Sequence, residues 1–297
     1  MPSWIGRLRL PRRSQPAPVL PRVAVVTDST SALDPEQAAE WGITVVPLDV
    51  AAGQERFRDG VDLGPAELID LLDHGTRVTT SQPAPAVFAE AYQRLADEGA
   101  QEVVSVHLSG ALSGTVRAAG LAAQLAPLPV HVVDSLSAGL GLGFAARAAA
   151  RTEGDGSRVA AEAERVGRST SAWFVVDSLD HLRRGGRISG PAAALGTVLG
   201  LRPVLALREG RIDVVERVRT RPAARDRLVQ LVREESARRD GPVRIAVHHL
   251  GRAEVAESLA ERLHEVDGAA EIRVAELGAV LGGHLGPGAL AVVVVDD

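Results

Sequence analysis

The chain has 297 residues, 45% of them apolar and only 3% aromatic, with no cysteine and a formal net charge of −5. The length suits two domains of about 150 residues each, with cores built from Ala, Val, Leu and Ile. Without cysteine, disulfides, thiolate metal sites and a Cys nucleophile are excluded, and the acidic balance lacks the basic stripe of a nucleic-acid binder.

Residues 1–21 hold five prolines and the basic run 7–13, and read as a disordered extension. No apolar segment follows those arginines, so a secretory signal is not expected. No run of about 20 apolar residues offers a membrane span; the segment 192–207 is broken by Gly, Arg and Pro. The expectation is a soluble cytoplasmic protein without stable membrane insertion.

The first ordered strand is "RVAVVTDST", a near-continuous apolar run typical of a parallel strand buried on both faces. Asp34-Pro35-Glu36-Gln37 then starts a helix, with Asp34 as N-cap, Pro35 at the first helical position and Gln37 able to close a capping box. Gly42 ends it, and "ITVVPLDV" is the next strand. Helices at 65–73 and 84–98, a strand at 102–107, a helix at 113–125 and a strand at 129–134 continue the alternation. This pattern predicts a doubly wound α/β domain with a mainly parallel sheet over 22–155.

After the loop 151–158, the helix at 157–168 can belong to either half. "AWFVVDS" is a strand, "LDHLRR" a short helix closed by Gly185-Gly186, and 190–200 a helix. "PVLALREGRIDVVERVRT" reads as a hairpin turning at Glu209-Gly210. A helix at 221–238, strand "VRIAVHH", helix 252–265 and strands "EIRVAEL" and "ALAVVVVDD" complete a second α/β domain, 156–297, with a mixed sheet.

Four segments share the order strand, hydroxyl or glycine, helix: Asp28-Ser29-Thr30, Thr79-Thr80-Ser81-Gln82-Pro83, Ser109 to Thr115, and Asp134-Ser135 with Ser137. Loops at the carboxyl edge of a parallel sheet are where ligands bind, and free helix amides there suit anions. Each segment alone reads as an ordinary helix cap, and the four together at one edge point to a shared site. Specific motifs fail. Ser113 lacks the flanking glycines of a nucleophile elbow, and no Lys follows Gly114 as a P-loop requires. "GLGLGF" at 139–144 has Phe144 where a dinucleotide fingerprint needs glycine, so its loop glycines serve close packing or approach to a ligand. Metal ligation is not expected, because His248 and His249 are adjacent in a strand and face opposite sides. Arg183, Arg184 and Arg187 surround a double-glycine turn, either a capped helix end or a cationic site. His284 stands in the glycine-dense turn "GGHLGPGAL" as a candidate ligand contact.

"VVTDSTSAL", "FRDGVDL" at 57–63, "TTSQPAP" at 79–85, "VSVHLSGALSGT", "VVDSLSAGLGLG" at 132–143, "LDHLRRGGRISG" at 179–190, "RPVLAL" at 202–207, "VERVRT" at 215–220 and "HLGPGAL" at 284–290 together resemble the DegV family, in its order, across residues 23–295. The resemblance implies two α/β domains with a ligand site near their interface. It implies a long-chain fatty acid in a buried tunnel, its carboxylate phosphorylated by a separate kinase subunit to an acyl phosphate for phospholipid synthesis. The chain is then a carrier with the fatty acid as ligand and no further cofactor, and not itself the catalyst. By the same resemblance, Thr80 and Ser109 hydrogen-bond the carboxylate, with Ser81 and Gly110 in the same set. His284 lies beside the head group, and Arg187 and Arg219 suit phosphate or kinase docking. Two departures stand out: Gly110 replaces a frequent second Ser, and Ala84 a frequent Ser or Thr.

Burying about 14 methylenes at about 0.8 kcal/mol each supplies roughly 11 kcal/mol before ordering costs. Two or three charge-assisted hydrogen bonds can offset desolvation of the carboxylate. Two other readings remain open at this point: a serine esterase or acyltransferase using Ser109 or Ser113 with His284, and a lipid sensor without a kinase.

Overall fold

The structure, a computed structural model, describes residues 22–188 and 202–297. The expected N-terminal extension and the expected helix at 190–200 lie outside the described residues. In chain order the first half contains β1 (Val23–Asp28), α1 (Pro35–Glu40), β2 (Ile43–Val46), β3 (Asp49–Ala52), β4 (Glu55–Arg58), α2 (Pro65–Asp73), β5 (Val78–Ser81), α3 (Pro85–Asp97), β6 (Glu102–His107), α4 (Thr115–Ala123), β7 (Val130–Asp134), α5 (Leu140–Arg151) and α6 (Gly156–Ser169).

Every residue of β1 is buried, as the unbroken apolar run requires of a central parallel strand. The sheet order is β2-β1-β6-β7, all parallel. The Asp34 carboxylate accepts the Gln37 amide at 2.7 Å and so starts α1. On one face Phe88, Tyr92, Ala118 and Ala122 from α3 and α4 pack on Val26 and Val103. On the other lie α5 and α6.

The second half contains β8 (Ser171–Val175), α7 (Asp180–Gly185), β9 (Arg202–Arg208), β10 (Arg211–Val218), α8 (Arg221–Ser236), β11 (Val243–His249), α9 (Ala253–Leu263), β12 (Ala269–Glu276), α10 (Ala279–Leu285) and β13 (Leu290–Asp296). Their sheet is mixed, in the order β10-β9-β8-β13-β11-β12, and parallel only between β11 and β12. Its outer face carries Trp173, Val204 and Val292 against Leu228, Val232 and Leu259 of α8 and α9. Its inner face carries Phe174, Leu205 and Val293 into a core continuous with Val25, Val106 and Phe144 of the first half. Helices α5 and α6 touch both sheets and form the wedge between them. The β9–β10 turn has positive φ at both Glu209 (47°) and Gly210 (74°), as a two-residue type I′ hairpin needs.

Four expectations change. "ITVVPLDV" is two strands, since β2 ends at Val46 before Pro47, which has no N–H to donate to a ladder. Strand β3 leaves for a separate antiparallel sheet, β4-β3-β5, in which Val50 pairs with Thr80. Thr80 is therefore a strand residue and not a loop residue at the parallel-sheet edge. Gly141 and Gly143 lie inside α5 and not in a loop; a Cβ at Gly143 would sit 2.6 Å from the Ser31 carbonyl oxygen. The glycine-dense turn around His284 contains a helix, α10, that stops at Gly286 with φ 79°.

Candidate functional site between the two sheets

A cavity of about 490 Å³ lies between the inner face of the six-stranded sheet and the first domain. Phe174, Leu207, Ile212 and Val293 come from that sheet, Leu48, Leu108 and Leu112 from the first domain, and Val280, Leu281 and Leu285 from α10. Its polar lining is Thr80, Ser81, Gln82, Ser113, Arg187, His248 and His284.

His248 is committed to the fold. Its Nε2 accepts the Leu140 amide at 2.9 Å and its Nδ1 lies 3.1 Å from the Ala275 carbonyl oxygen. The first bond fixes Nε2 as acceptor, so Nδ1 carries the proton and the ring is neutral. Burial pushes its pKa down to about 4. Gly139 allows the contact: with φ 61°, it leaves out a Cβ that would stand 2.8 Å from Nε2.

A polar groove of about 480 Å³ adjoins the cavity, lined by Arg77, Thr79, His181 and Arg184 among others. Thr80, Arg187 and His284 line both spaces. Thr80 Oγ1 and His284 Nε2 are 2.7 Å apart. Burial, then the charges of Arg187 and His181, pushes the His284 pKa down to about 4, so the ring is neutral near pH 7. The Gly185 backbone stacks so closely on His284 Nδ1 that no Cβ fits. The Arg187 guanidinium donates to the carbonyls of Leu112 (3.0 Å) and Gly185. No Asp or Glu lines either space among the described residues. The local field is therefore positive, and hydroxyls and an imidazole stand ready for an anion at the mouth of an apolar chamber.

Of the residues singled out in the sequence, the structure brings together Thr80, Ser81, Arg187 and His284. It does not bring Ser109, Gly110 or Arg219 to the cavity. Ser109 is fully buried, donating to the Gly210 carbonyl at 2.8 Å and accepting the Ala111 amide at 3.2 Å. It clasps the β9–β10 turn to the first domain. The Gly110 amide donates to Asp134 at 3.1 Å, and Arg219 is exposed just before the Thr220 cap of α8. The loops after β1, β6 and β7 hold one another: the Ser109 amide bonds the Ser137 carbonyl, the Ser135 amide that of His107, and the Gly139 amide that of Thr30. Ser113 and Gln82, present in the hydroxyl-bearing segments of the sequence but not assigned there to the carboxylate, also line the cavity. The Ser113 hydroxyl is 2.9 Å from that of Thr115.

Neither Ser109 nor Ser113 is bonded to a histidine. An Asp–His–Ser chain does exist elsewhere: Asp28 Oδ2 lies 3.0 Å from His107 Nδ1, and His107 Nε2 lies 2.7 Å from Ser105 Oγ, which accepts from Tyr92 at 2.9 Å. All four side chains are fully buried, so this chain ties the core and meets no substrate. Among the described residues no group of three or more His, Asp or Glu is placed to hold a metal, and no helix is long and apolar enough to cross a membrane.

A profile described as an uncharacterised protein family, DegV, matches residues 22–297. The chain belongs to the DegV family. A DegV domain-containing protein of Streptomyces coelicolor is 46% identical over 276 residues, covering 92% of this chain and 98% of the relative. Two DegV structures superpose closely. One, from Thermus thermophilus and described by its fatty acid binding, has a TM-score of 0.87 at 38% identity, covering 93% of this chain and 100% of that one. The other is the Bacillus subtilis DegV, described as a fatty acid binding protein, with a TM-score of 0.85 at 32% identity and coverage of 93% and 99%. The DegV architecture of two α/β domains is thus that of this chain, and Thr80, Arg187 and His284 line both its cavity and its groove.

Proposed function

We propose that this protein binds a long-chain fatty acid, with the acyl chain in the inner cavity and the carboxylate against Thr80, Ser113, Arg187 and His284. One observation carries the reading: an apolar chamber and a cationic outer groove share a single polar wall, made by Thr80, Arg187 and His284. The two DegV proteins described as fatty acid binders support it. A guanidinium without a carboxylate partner among the described residues, together with neutral donors, satisfies a carboxylate without covering it. From the groove side the bound carboxylate can accept a phosphoryl group from a separate kinase subunit, with Arg77, Arg184 and Arg187 facing the incoming phosphate. Arg219, outside both spaces, is left to kinase docking. The protein is then a carrier that presents its ligand to another protein's chemistry.

Organic extraction and mass spectrometry of the purified protein, followed by uptake of added oleate, test the binding. A bound acyl chain or saturable uptake is expected, and the absence of both overturns the reading. Reconstitution with the cognate kinase and ATP tests the partnership: acyl phosphate is expected, and bound acid with no acyl phosphate would leave a lipid sensor.

A further inference from the structure

On the opposite, outer face of the six-stranded sheet lies a second pocket, of about 130 Å³. The strands themselves separate the two sites: Val175 and Leu290 face this pocket, while their neighbours Phe174 and Ala291 face the acyl cavity. Four guanidiniums line it, those of Arg202, Arg221, Arg225 and Arg252, against one carboxylate, Asp177. Asp177 is already engaged. Its Oδ1 accepts from Arg202 and Arg221 at 3.1 Å each, and its Oδ2 from Arg221 at 2.9 Å. Gly288, with φ 81°, makes room, since a Cβ there would lie 2.5 Å from Asp177 Oδ2.

Arg225 and Arg252 are left over, without an ion pair among the described residues. A structural salt bridge needs one or two cations per carboxylate. Two more guanidiniums in the same small concavity repel one another unless an anion joins them. Arginines supplied to one pocket by the start of β9, the first turns of α8 and the loop before α9 suit a tetrahedral oxyanion, which accepts bidentate bonds on several sides. The volume holds one such group and no chain.

We propose that this pocket binds a phosphate dianion, carried by a small phosphomonoester or by a lipid phosphate. The site is independent of the acyl cavity. Calorimetric titration with inorganic phosphate tests it. Saturable binding is expected for the wild-type protein, about tenfold or more weaker in the Arg225→Ala/Arg252→Ala double variant and tighter in Asp177→Asn, which removes the competing carboxylate. The double variant breaks no ion pair among the described residues and should melt at the wild-type temperature. Flotation with phosphatidylcholine vesicles containing phosphatidic acid separates the sources. Flotation of the wild type but not of the double variant assigns a lipid phosphate, and phosphate binding without flotation assigns a soluble phosphomonoester. No saturable phosphate binding, or equal binding by the wild type and the double variant, overturns the proposal.

Discussion

The Thr80 hydroxyl and the His284 imidazole meet at 2.7 Å across 204 residues of sequence. Thr80 belongs to β5 of the small antiparallel sheet and His284 to the last turn of α10. Their contact joins the two halves of the molecule where the apolar chamber meets the cationic groove. A carboxylate arriving there finds a hydroxyl, a neutral ring and a guanidinium that, among the described residues, donates to two carbonyl oxygens.

Thr80→Ala and His284→Ala should each weaken fatty acid binding by about 1–2 kcal/mol, roughly five- to thirtyfold, by removing one hydrogen bond to a charged group. Displacement of a fluorescent fatty acid measures this, with thermal melts as the folding control. Wild-type affinity in both variants would remove the carboxylate from this wall.

Ser109 and Ser113 should separate cleanly. Ser109→Ala strands the buried Gly210 carbonyl and releases the Ala111 amide, and should cost about 1–3 kcal/mol of stability in urea unfolding. The folded fraction should still bind acid normally. Ser113→Ala should leave stability within about 0.5 kcal/mol and weaken binding. The reverse pattern would restore Ser109 as the ligand contact.

Acid should destabilise the protein through His248 and His284. Both rings have a folded-state pKa pushed down to about 4 from an ordinary 6.5. Between those values the unfolded chain binds protons that the folded chain refuses, so stability falls as pH drops through that window. For fully buried His248 the loss is on the order of 3 kcal/mol. Urea unfolding at pH 7 and pH 4.5 should show a smaller pH difference in His248→Gln than in wild type. An equal difference would mean that His248 is charged in the folded protein.

Ala291→Phe places a ring into the inner cavity from β13. Long acids should lose affinity while short acids keep theirs, with no fall in melting temperature. Unchanged affinity for oleate would place the chain elsewhere.

Much of the fold was legible because local chemistry decides it. The unbroken apolar run of β1, the Asp34-Pro35 helix start and the Glu209-Gly210 turn each act through near neighbours. The split at Pro47 was visible only as one missing N–H, and where β3 went next depended on pairing with Thr80, 30 residues further on. The site was half legible. Motif resemblance led to Thr80, Arg187 and His284. It chose Ser109 over Ser113, and the carbonyl that holds Ser109 outside the cavity comes from 101 residues away, beyond the reach of a local motif.

The most direct test is the structure of the complex with oleate. The carboxylate should lie within hydrogen-bond distance of Thr80 Oγ1 and His284, with the chain running past Phe174 into the cavity. An empty cavity after soaking at saturating oleate, or an acid seated with its carboxylate away from that pair, would contradict the assignment.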